Sequence, residues 1–515
     1  MKKLLLKDLN LGQTDAKNEL LHNSPEEINR FCESFVAPPS LSIDRYLNGD
    51  KYFIIGLKGT GKTALLRYVS LKLELNETSR SEFVLFKSEI DEQLKKDFAK
   101  AARIQIIDEN SKDYEGEEFE PVWRWFMYRK IANVLKNGAS HFVEDNDLNS
   151  FCDLVGSEYL DKPEKTGLMR LVPNIRKGNI EISYSPKLGL EFDWDENGRA
   201  KVKFPELVRK ADDLFARLQP GEERLNIFFD ELELDYASAK QHARDAALIR
   251  DLVVTIEKLN AICKRKKYPL CLYAAIRSEV LSSVVSLGKE INKPLADFGS
   301  IIMWNKAGLD AKQQPLLNII EQKISSSRVE NGLEKIESAG IWEYYFPKKI
   351  DGKSPQIYIL HNSWYRPRDI VRLLLSVQDQ YPNEEIFILQ GIEAVRKAYS
   401  TASWVELTEE LKARYSSDEI EGIRNILYGF KQISTVAEVI MRAEELKEDH
   451  DSVAKLLKGR KIKDVLRDLF RVGIIGNIDS KHIKMRFSFR GDEDILFDHK
   501  IFIHNALRGH LSIYH

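Results

Sequence analysis

Residues 53–66 read FIIGLKGTGKTALL. They fit G-x-x-x-x-G-K-[ST], with Gly56, Gly61, Lys62 and Thr63 at the fixed positions and Lys58, Gly59 and Thr60 inside the turn. Each residue type answers a demand of phosphate binding. Glycines let a loop wrap tightly enough for successive backbone N–H groups to converge on phosphate oxygens. The lysine is the counter-charge for β- and γ-phosphates, and the small hydroxyl is a hard oxygen ligand for Mg2+. A helix starting near Thr63 and Ala64 adds its positive N-terminal end. The flanks agree. Tyr52–Ile55 is a buried-strand pattern, and Ala64–Leu73 has apolar residues at helical spacing.

A phosphate loop does not select a reaction. Residues 225–233 read LNIFFDELE, an apolar run ending in acids. A strand of this kind carries Asp230 to the mouth of a sheet, where it can hold Mg2+ through water. Glu231, one residue on, can polarise water for in-line attack. That second acid favours an ATPase over a nucleotide kinase. A buried strand with a solvated acidic turn would be the better reading without the phosphate loop. Glu233 and Asp235 read as solvated or partner-facing.

Arginines supply the remaining candidates. In PLCLYAAIRSEV (269–280) an apolar strand ends at Arg277. The strand beside a P-loop strand ends near the γ-phosphate, so Arg277 is a candidate sensor, with a local ion pair to Glu279 as the alternative. WYRPRDIVRLL (364–374) clusters Arg366, Arg368 and Arg372 where a helix starts, with Pro367 at its first position and Asp369 in its first turn. Arg366 or Arg368 can reach a nucleotide from a lid domain; a capped helix with a basic face is the plainer reading. Arg244 and Arg250 are further finger candidates. GTP recognition would need N-K-x-D, and neither Asn292-Lys293-Pro294-Leu295 nor Asn305-Lys306-Ala307-Gly308 carries the Asp. ATP is therefore the expected nucleotide.

With these residues in place, FVAPPSLSIDRYLNGDKYFIIGLKGTGKTAL resembles the start of bacterial P-loop ATPases related to the KAP, STAND and origin-recognition-like branches, which share a K-G-[ST]-G-K-T-A loop. PVWRWFMYRKI, FFDELE, AAIRSEV, IIMWN and RPRDIVRLL follow in the order that the resemblance implies. It covers about residues 10–375. It implies ATP binding and hydrolysis through Lys62 and Thr63, Asp230 and Glu231, Arg277, and Arg366 or Arg368. Members are often encoded beside antiviral defence genes.

The expected fold is α/β: an ASCE, AAA-like P-loop NTPase core of parallel sheet with insertions, a helical lid and a C-terminal winged-helix-like domain. Residues 1–45 read as a helical lead-in closed by Pro38 and Pro39. The core spans 46–305, with EFVLFK (82–87) as its second strand. The gap from there to Asp230 is too long for one crossover, so 89–220 is an insertion. Within it, VWRWFMYRKIANVL reads as a packed helix rather than a base-stacking platform of Trp123, Trp125, Phe126 and Tyr128. NIEISYS, LGLEFDW, a DENG turn and AKVKF make a small β-element at 176–204. A helical lid covers 306–440, with ELTEELKARYSSDEIEGIRNIL amphipathic. In 441–515, KIKDVLRDLFRVGIIGNI is a helix stopped near Gly473, and KMRFSFRGDEDILFDHKIFIH is two strands around a charged turn.

The balance of 78 basic and 80 acidic residues makes no global field for nucleic acid or membrane. No apolar run reaches about 18 residues, the span of a membrane helix. MKKLLLKDLN is too short for a signal-peptide core, so the expected location is cytoplasmic. Cys32, Cys152, Cys263 and Cys271 have no metal-site spacing and read as free thiols. Residues 451–515 carry 13 Lys and Arg against 8 Asp and Glu, but Asp492, Glu493 and Asp494 sit where a wing tip would meet phosphate. The leading expectation is a Mg2+-dependent ATPase: a homo-oligomeric switch acting on a protein partner encoded nearby, without membrane contact. Two alternatives stand beside it. One is an ATP-dependent DNA loader or sensor contacting DNA through Lys481, Lys484 and Arg486. The other is a nucleotide-binding scaffold that does not turn over.

Overall fold

The computed structural model describes residues 2–75, 78–90, 92–93, 95–96, 118–136, 140–156, 179–183, 199–234, 239–285, 291–412, 414–479 and 484–514. The LGLEFDW segment, the DENG turn, Asp235 and Lys481 lie outside them. The chain divides into two compact units. A core unit comprises Leu41–Lys58 and Lys62–Ile302; a C-terminal unit comprises Met1–Ser40, Gly59–Gly61 and Met303–His515.

The described strands of the core unit are β1 (Phe53–Gly56), β2 (Ser79–Leu85), β3 (Asn179–Ser183), β4 (Arg199–Lys203), β5 (Arg224–Leu232), β6 (Leu270–Arg277) and β7 (Gly299–Ile301). Five form a parallel sheet in the order β2-β5-β6-β1-β7. Counted within that sheet the order is 2-3-4-1-5, which is typical of AAA+ cores. Covered on both faces, its central strands are continuous apolar runs rather than alternating ones. Every residue of β1 is buried, and so is every residue of β6 before Arg277. β2 begins before the expected EFVLFK and stops at Leu85, because Phe86–Glu89 turns into a helix. β3 and β4 form a separate antiparallel pair, with Asn179 opposite Lys203.

The helix Glu120–Lys136 is a core element. Trp123, Trp125, Phe126 and Tyr128 are all fully buried, which leaves no ring face for a base. Trp123 donates its indole N–H to the Leu248 carbonyl at 2.9 Å, and Tyr128 donates to Asp212 at 2.7 Å. The long helix Ala239–Lys266 carries buried acids that are fully paired. Asp245 binds Lys95 and Arg244, each at 2.7 Å, and Asp251 binds Arg250 at 2.8 Å and accepts the Phe119 N–H at 2.7 Å. Arg244 also binds Glu92 at 2.7 Å. Both finger candidates on this helix are thus engaged within their own chain.

The C-terminal unit starts as a strap rather than the expected helical lead-in. Residues 2–24 make only two short 3-10 turns, and the first α-helix is Pro25–Ser34. Leu4, Leu6, Leu9 and Leu11 are buried, while neighbouring backbone groups bond outward. Leu6 N–H reaches the Glu384 carbonyl at 2.7 Å, and Gln378 donates to the Leu9 carbonyl at 2.7 Å. Those external partners replace helical hydrogen bonds. Helices Leu317–Glu330, Ser338–Tyr345, Pro355–His361, Pro367–Gln380, Leu389–Leu411 and Ser417–Leu427 follow. The amphipathic stretch from Glu406 is two helices, because Ser416 and Glu419 form a capping box that starts the second.

Beyond them, β8 (Ile433–Ser434), β9 (Ile475–Asp479), β10 (Lys484–Arg486) and β11 (Lys500–Ile503) form an antiparallel sheet in the order β10-β9-β11-β8. Three helices, Val436–Asp449, Asp451–Gly459 and Ile462–Val472, lie between β8 and β9. This is a winged-helix-like arrangement. The last helix stops where expected, at Gly473, whose φ of +83° is left-handed. The strands after it differ from expectation: β10 and β11 flank β9 instead of pairing with each other. Buried Asn477 on β9 ties the strand to the loop before β11, donating to the Leu496 carbonyl at 3.0 Å and accepting the Leu496 N–H at 2.8 Å. No helix of the described residues is long and apolar enough to cross a membrane.

Candidate nucleotide site

β1 delivers the glycine-rich turn, and the helix Lys62–Glu74 leaves it. Gly59 and Gly61 have φ of +78° and +94°, values that strain any residue with a Cβ. Lys62 is buried and its ammonium caps its own loop, at 2.9 Å from the Gly56 carbonyl and 2.8 Å from that of Leu57. The Thr63 hydroxyl donates to the Asp230 carboxylate. That contact, with the nearby Lys62 charge, ties the start of the helix to the acidic end of β5.

Asp230 is 4% exposed. Burial pushes its carboxyl above the ordinary range, against the pull of Thr63, the Glu231 N–H and the Lys62 charge. A carboxylate held at such cost beside a hydroxyl is a hard-oxygen pair suited to Mg2+. The next residue is strained. Glu231 has φ +57°, and β5 slips in register against β6 between Phe229 and Leu232. A non-glycine residue in this region costs roughly 1–2 kcal/mol. The bulge turns Glu231 out of the ladder, where its carboxylate accepts from the Ser88 hydroxyl at 2.5 Å.

Arg277 ends β6 as the register partner of Gly56. Its main partner is Glu233; Glu279 is further off, at 3.8 Å. Glu233 also binds Lys87, at 2.9 Å. Burial works to raise the Glu233 carboxyl, but Arg277, Lys87 and Lys58 together hold it below its ordinary range.

Arg366 and Arg368 lie in the C-terminal unit, which also contains Gly59–Gly61. Arg366 is the N-cap of the helix Pro367–Gln380 and is 3% exposed, with Glu410 at 3.3 Å. Arg368 binds Glu406 at 2.9 Å and donates to the Thr14 carbonyl at 2.9 Å. Its backbone N–H lies 3.4 Å from the Gly59 carbonyl, and a Cβ on Gly59 would come 3.3 Å from Arg368 Cβ. The Trp304 indole donates to the Thr60 carbonyl at 2.9 Å. Arg372 shares Glu406. Burial works to raise the Glu406 carboxyl, yet Arg372 and Arg368 pull it down to about 2.

The structure therefore gathers Lys58, Lys62, Thr63, Ala64, Asp230, Glu231 and Arg277 in the core unit, and Gly59, Thr60, Gly61, Arg366 and Arg368 in the other. Sequence reasoning missed Ser88, Lys87 and the carboxylates Glu406 and Glu410. It read Glu233 as solvated or partner-facing; the structure pairs it with Arg277 and Lys87. Only the E-x-x-x-E spacing of Glu406 and Glu410, which puts two acids on one helix face, was available as a signal.

Comparison with known proteins adds three findings. Residues 314–408 match the family described as the FunZ-associated C-terminal helical domain. The crystal structure of Cdc6p from Pyrobaculum aerophilum is similar over 92% of this chain and 93% of that one, at 10% identity and a TM-score of 0.35. No curated protein matches the chain.

Proposed function

We propose that this chain is a Mg2+-dependent ATPase that works as a nucleotide-driven conformational and oligomerisation switch on a protein partner, in bacterial defence against phage. The observation that carries the ATPase reading is the bond from Thr63 to buried Asp230. That contact supports Mg2+ binding, with the Thr63 hydroxyl as a proposed direct oxygen ligand and Asp230 holding the ion through water. Mg2+ held there would neutralise charge on the β- and γ-phosphates. The chain's own residues do the rest. Lys62 exchanges its loop carbonyls for phosphate oxygens. Glu231, released from Ser88, orients a water and takes its proton. Arg277 in the core unit, and Arg366 or Arg368 in the other, are the proposed phosphate sensors.

The switch reading rests on the many polar groups at this site that are held by partners a nucleotide would compete with. A partner encoded nearby and the defence setting rest on the sequence resemblance. The test is equilibrium binding of a fluorescent ATP analogue with Mg2+, read together with assembly size. Lys62→Ala should weaken binding at least tenfold, a loss of about 1.4 kcal/mol. Glu231→Gln should bind normally and accumulate the larger assembly. Equal binding by wild type and Lys62→Ala would defeat the ATPase reading; an unchanged assembly would defeat the switch.

A DNA-loading role is the second reading, and the winged-helix-like topology favours it. The charges on its helix Ile462–Val472 weigh against it. Arg467 binds Asp464 and Asp494, each at 3.2 Å, and Arg471 binds Asp468 at 3.4 Å. Arg486 binds Asp492 at 3.1 Å. DNA affinity that falls steeply with salt, and flattens in Arg486→Ala, would restore this reading.

A further inference from the structure

The bulge in β5 does more than turn Glu231 outward. Phe229 faces Ala274, but Leu232 faces Ile276, so β5 spends one more residue than β6 over that stretch. In unbroken register Leu232 would stand opposite Arg277. The extra residue leaves Leu232 opposite Ile276, and Glu233, just past the end of β5, takes the Arg277 guanidinium. A charged pair thus replaces what regular pairing would have made a leucine beside the guanidinium. The same carboxylate collects Lys87, from the helical turn that follows β2. Arg277 itself is register partner to Gly56, where the glycine turn begins.

Resting on the nucleotide reading above, we propose that Glu233 is a positioning residue: it holds Arg277 and Lys87 at the phosphate-facing edge of the sheet, and the β5 bulge exists to place it there. Glu233 acts through these cations and does not itself touch nucleotide. Held there by Glu233, Arg277 is placed to meet the γ-phosphate that ADP lacks, so the contact discriminates ATP from ADP. The acidic turn after Asp230, which reads from sequence as a solvated face, is then part of the sensor.

The test compares Mg-ATP and Mg-ADP affinities of the full chain by displacement of a fluorescent nucleotide. The variants are Glu233→Gln, Glu233→Asp, Arg277→Ala and the double variant Glu233→Gln/Arg277→Ala, with melting temperature followed in parallel. The expected result is that Glu233→Gln lowers the ATP-over-ADP preference about tenfold, within the usual range of site couplings. Glu233→Asp, which keeps the charge, recovers most of it, and the double variant is no worse than Arg277→Ala. A purely structural role would shift melting temperature and both affinities together, and that result overturns the proposal. So does an unchanged preference in Glu233→Gln, or losses that multiply in the double variant. Lys62→Ala separates the two levels. If it binds both nucleotides as well as wild type, the nucleotide reading itself is wrong, and the proposal falls with it. If Lys62→Ala loses binding and Glu233→Gln keeps its preference, only the proposal falls.

Discussion

Replacing Asp230 by Asn should make the ligand-free protein more stable and, on the proposed ATPase reading, abolish hydrolysis. Asp230 is 4% exposed, and burial raises its carboxyl despite Thr63, the Glu231 N–H and Lys62. Its ionised form is therefore a net cost to the folded state. A carboxyl raised on folding contributes stability that is present at low pH and lost as pH rises through the raised value. Asparagine removes the charge and keeps the shape. Its carbonyl accepts the Glu231 N–H, held at 2.8 Å from Asp230, and its amide donates to the Thr63 hydroxyl, which reverses its role. Substitutions that relieve a functional site usually gain about 0.5–2 kcal/mol. For a domain of this size that is roughly 2–4 °C per kcal/mol in melting temperature. If Asp230 holds Mg2+ as proposed, its loss should cost at least about a hundredfold in turnover, as for other preorganised electrostatic groups. Differential scanning in EDTA across pH, with phosphate release measured separately, reads both. Asp230→Asn should melt higher at pH 7 and lose the destabilising pH limb, and Mg-ATP should raise its melting temperature less than it raises that of wild type. If Asp230→Asn instead melts lower in EDTA at pH 7, the carboxylate is a structural asset, and the inference that its charge is retained for Mg2+ is wrong.

Three further outcomes follow from the geometry. Ser88→Ala frees Glu231 from a 2.5 Å hydrogen bond, so steady-state turnover should rise, by up to about fivefold for a bond worth roughly 1 kcal/mol; a fall would mean that Ser88 aims Glu231 rather than restrains it. Gly473→Ala puts a Cβ into a left-handed cap, 2.8 Å from the Trp364 ring, and should cost about 1–3 kcal/mol in chemical denaturation. Glu406 is held down to about 2, so the stability it contributes is present above its ordinary 4.5 and lost as pH falls from there through about 2. In Glu406→Gln the melting temperature should be flatter over that acid window.

What the sequence made legible was local. The strand–turn–helix order around Gly56–Thr63 needs only neighbouring residues, as does the stop at Gly473. The apolar run into Asp230 and the helical spacing around Trp123 are equally local signals. What it hid depends on contacts between distant segments or on backbone slips. Ser88 meets Glu231 because β2 lies beside β5, which no spacing announces. Glu233 looks solvated until the bulge between Phe229 and Leu232 is known, since a shift of one residue decides what faces Arg277. The first leucines suggest a helix by composition, but their backbone groups are satisfied by Glu384, Pro382 and Gln378 far along the chain. The pairing of β10 and β11 with β9 is likewise non-local, set between segments that the sequence separates.

The most direct test of the central claim is single-turnover phosphate release from Mg-ATP by wild type, Lys62→Ala and Glu231→Gln, with retained nucleotide measured in the same samples. The geometry predicts release by wild type alone, ATP retained intact by Glu231→Gln, and little nucleotide retained by Lys62→Ala. Release at the wild-type rate from Lys62→Ala, or from Glu231→Gln, would contradict the assignment of hydrolysis to this site.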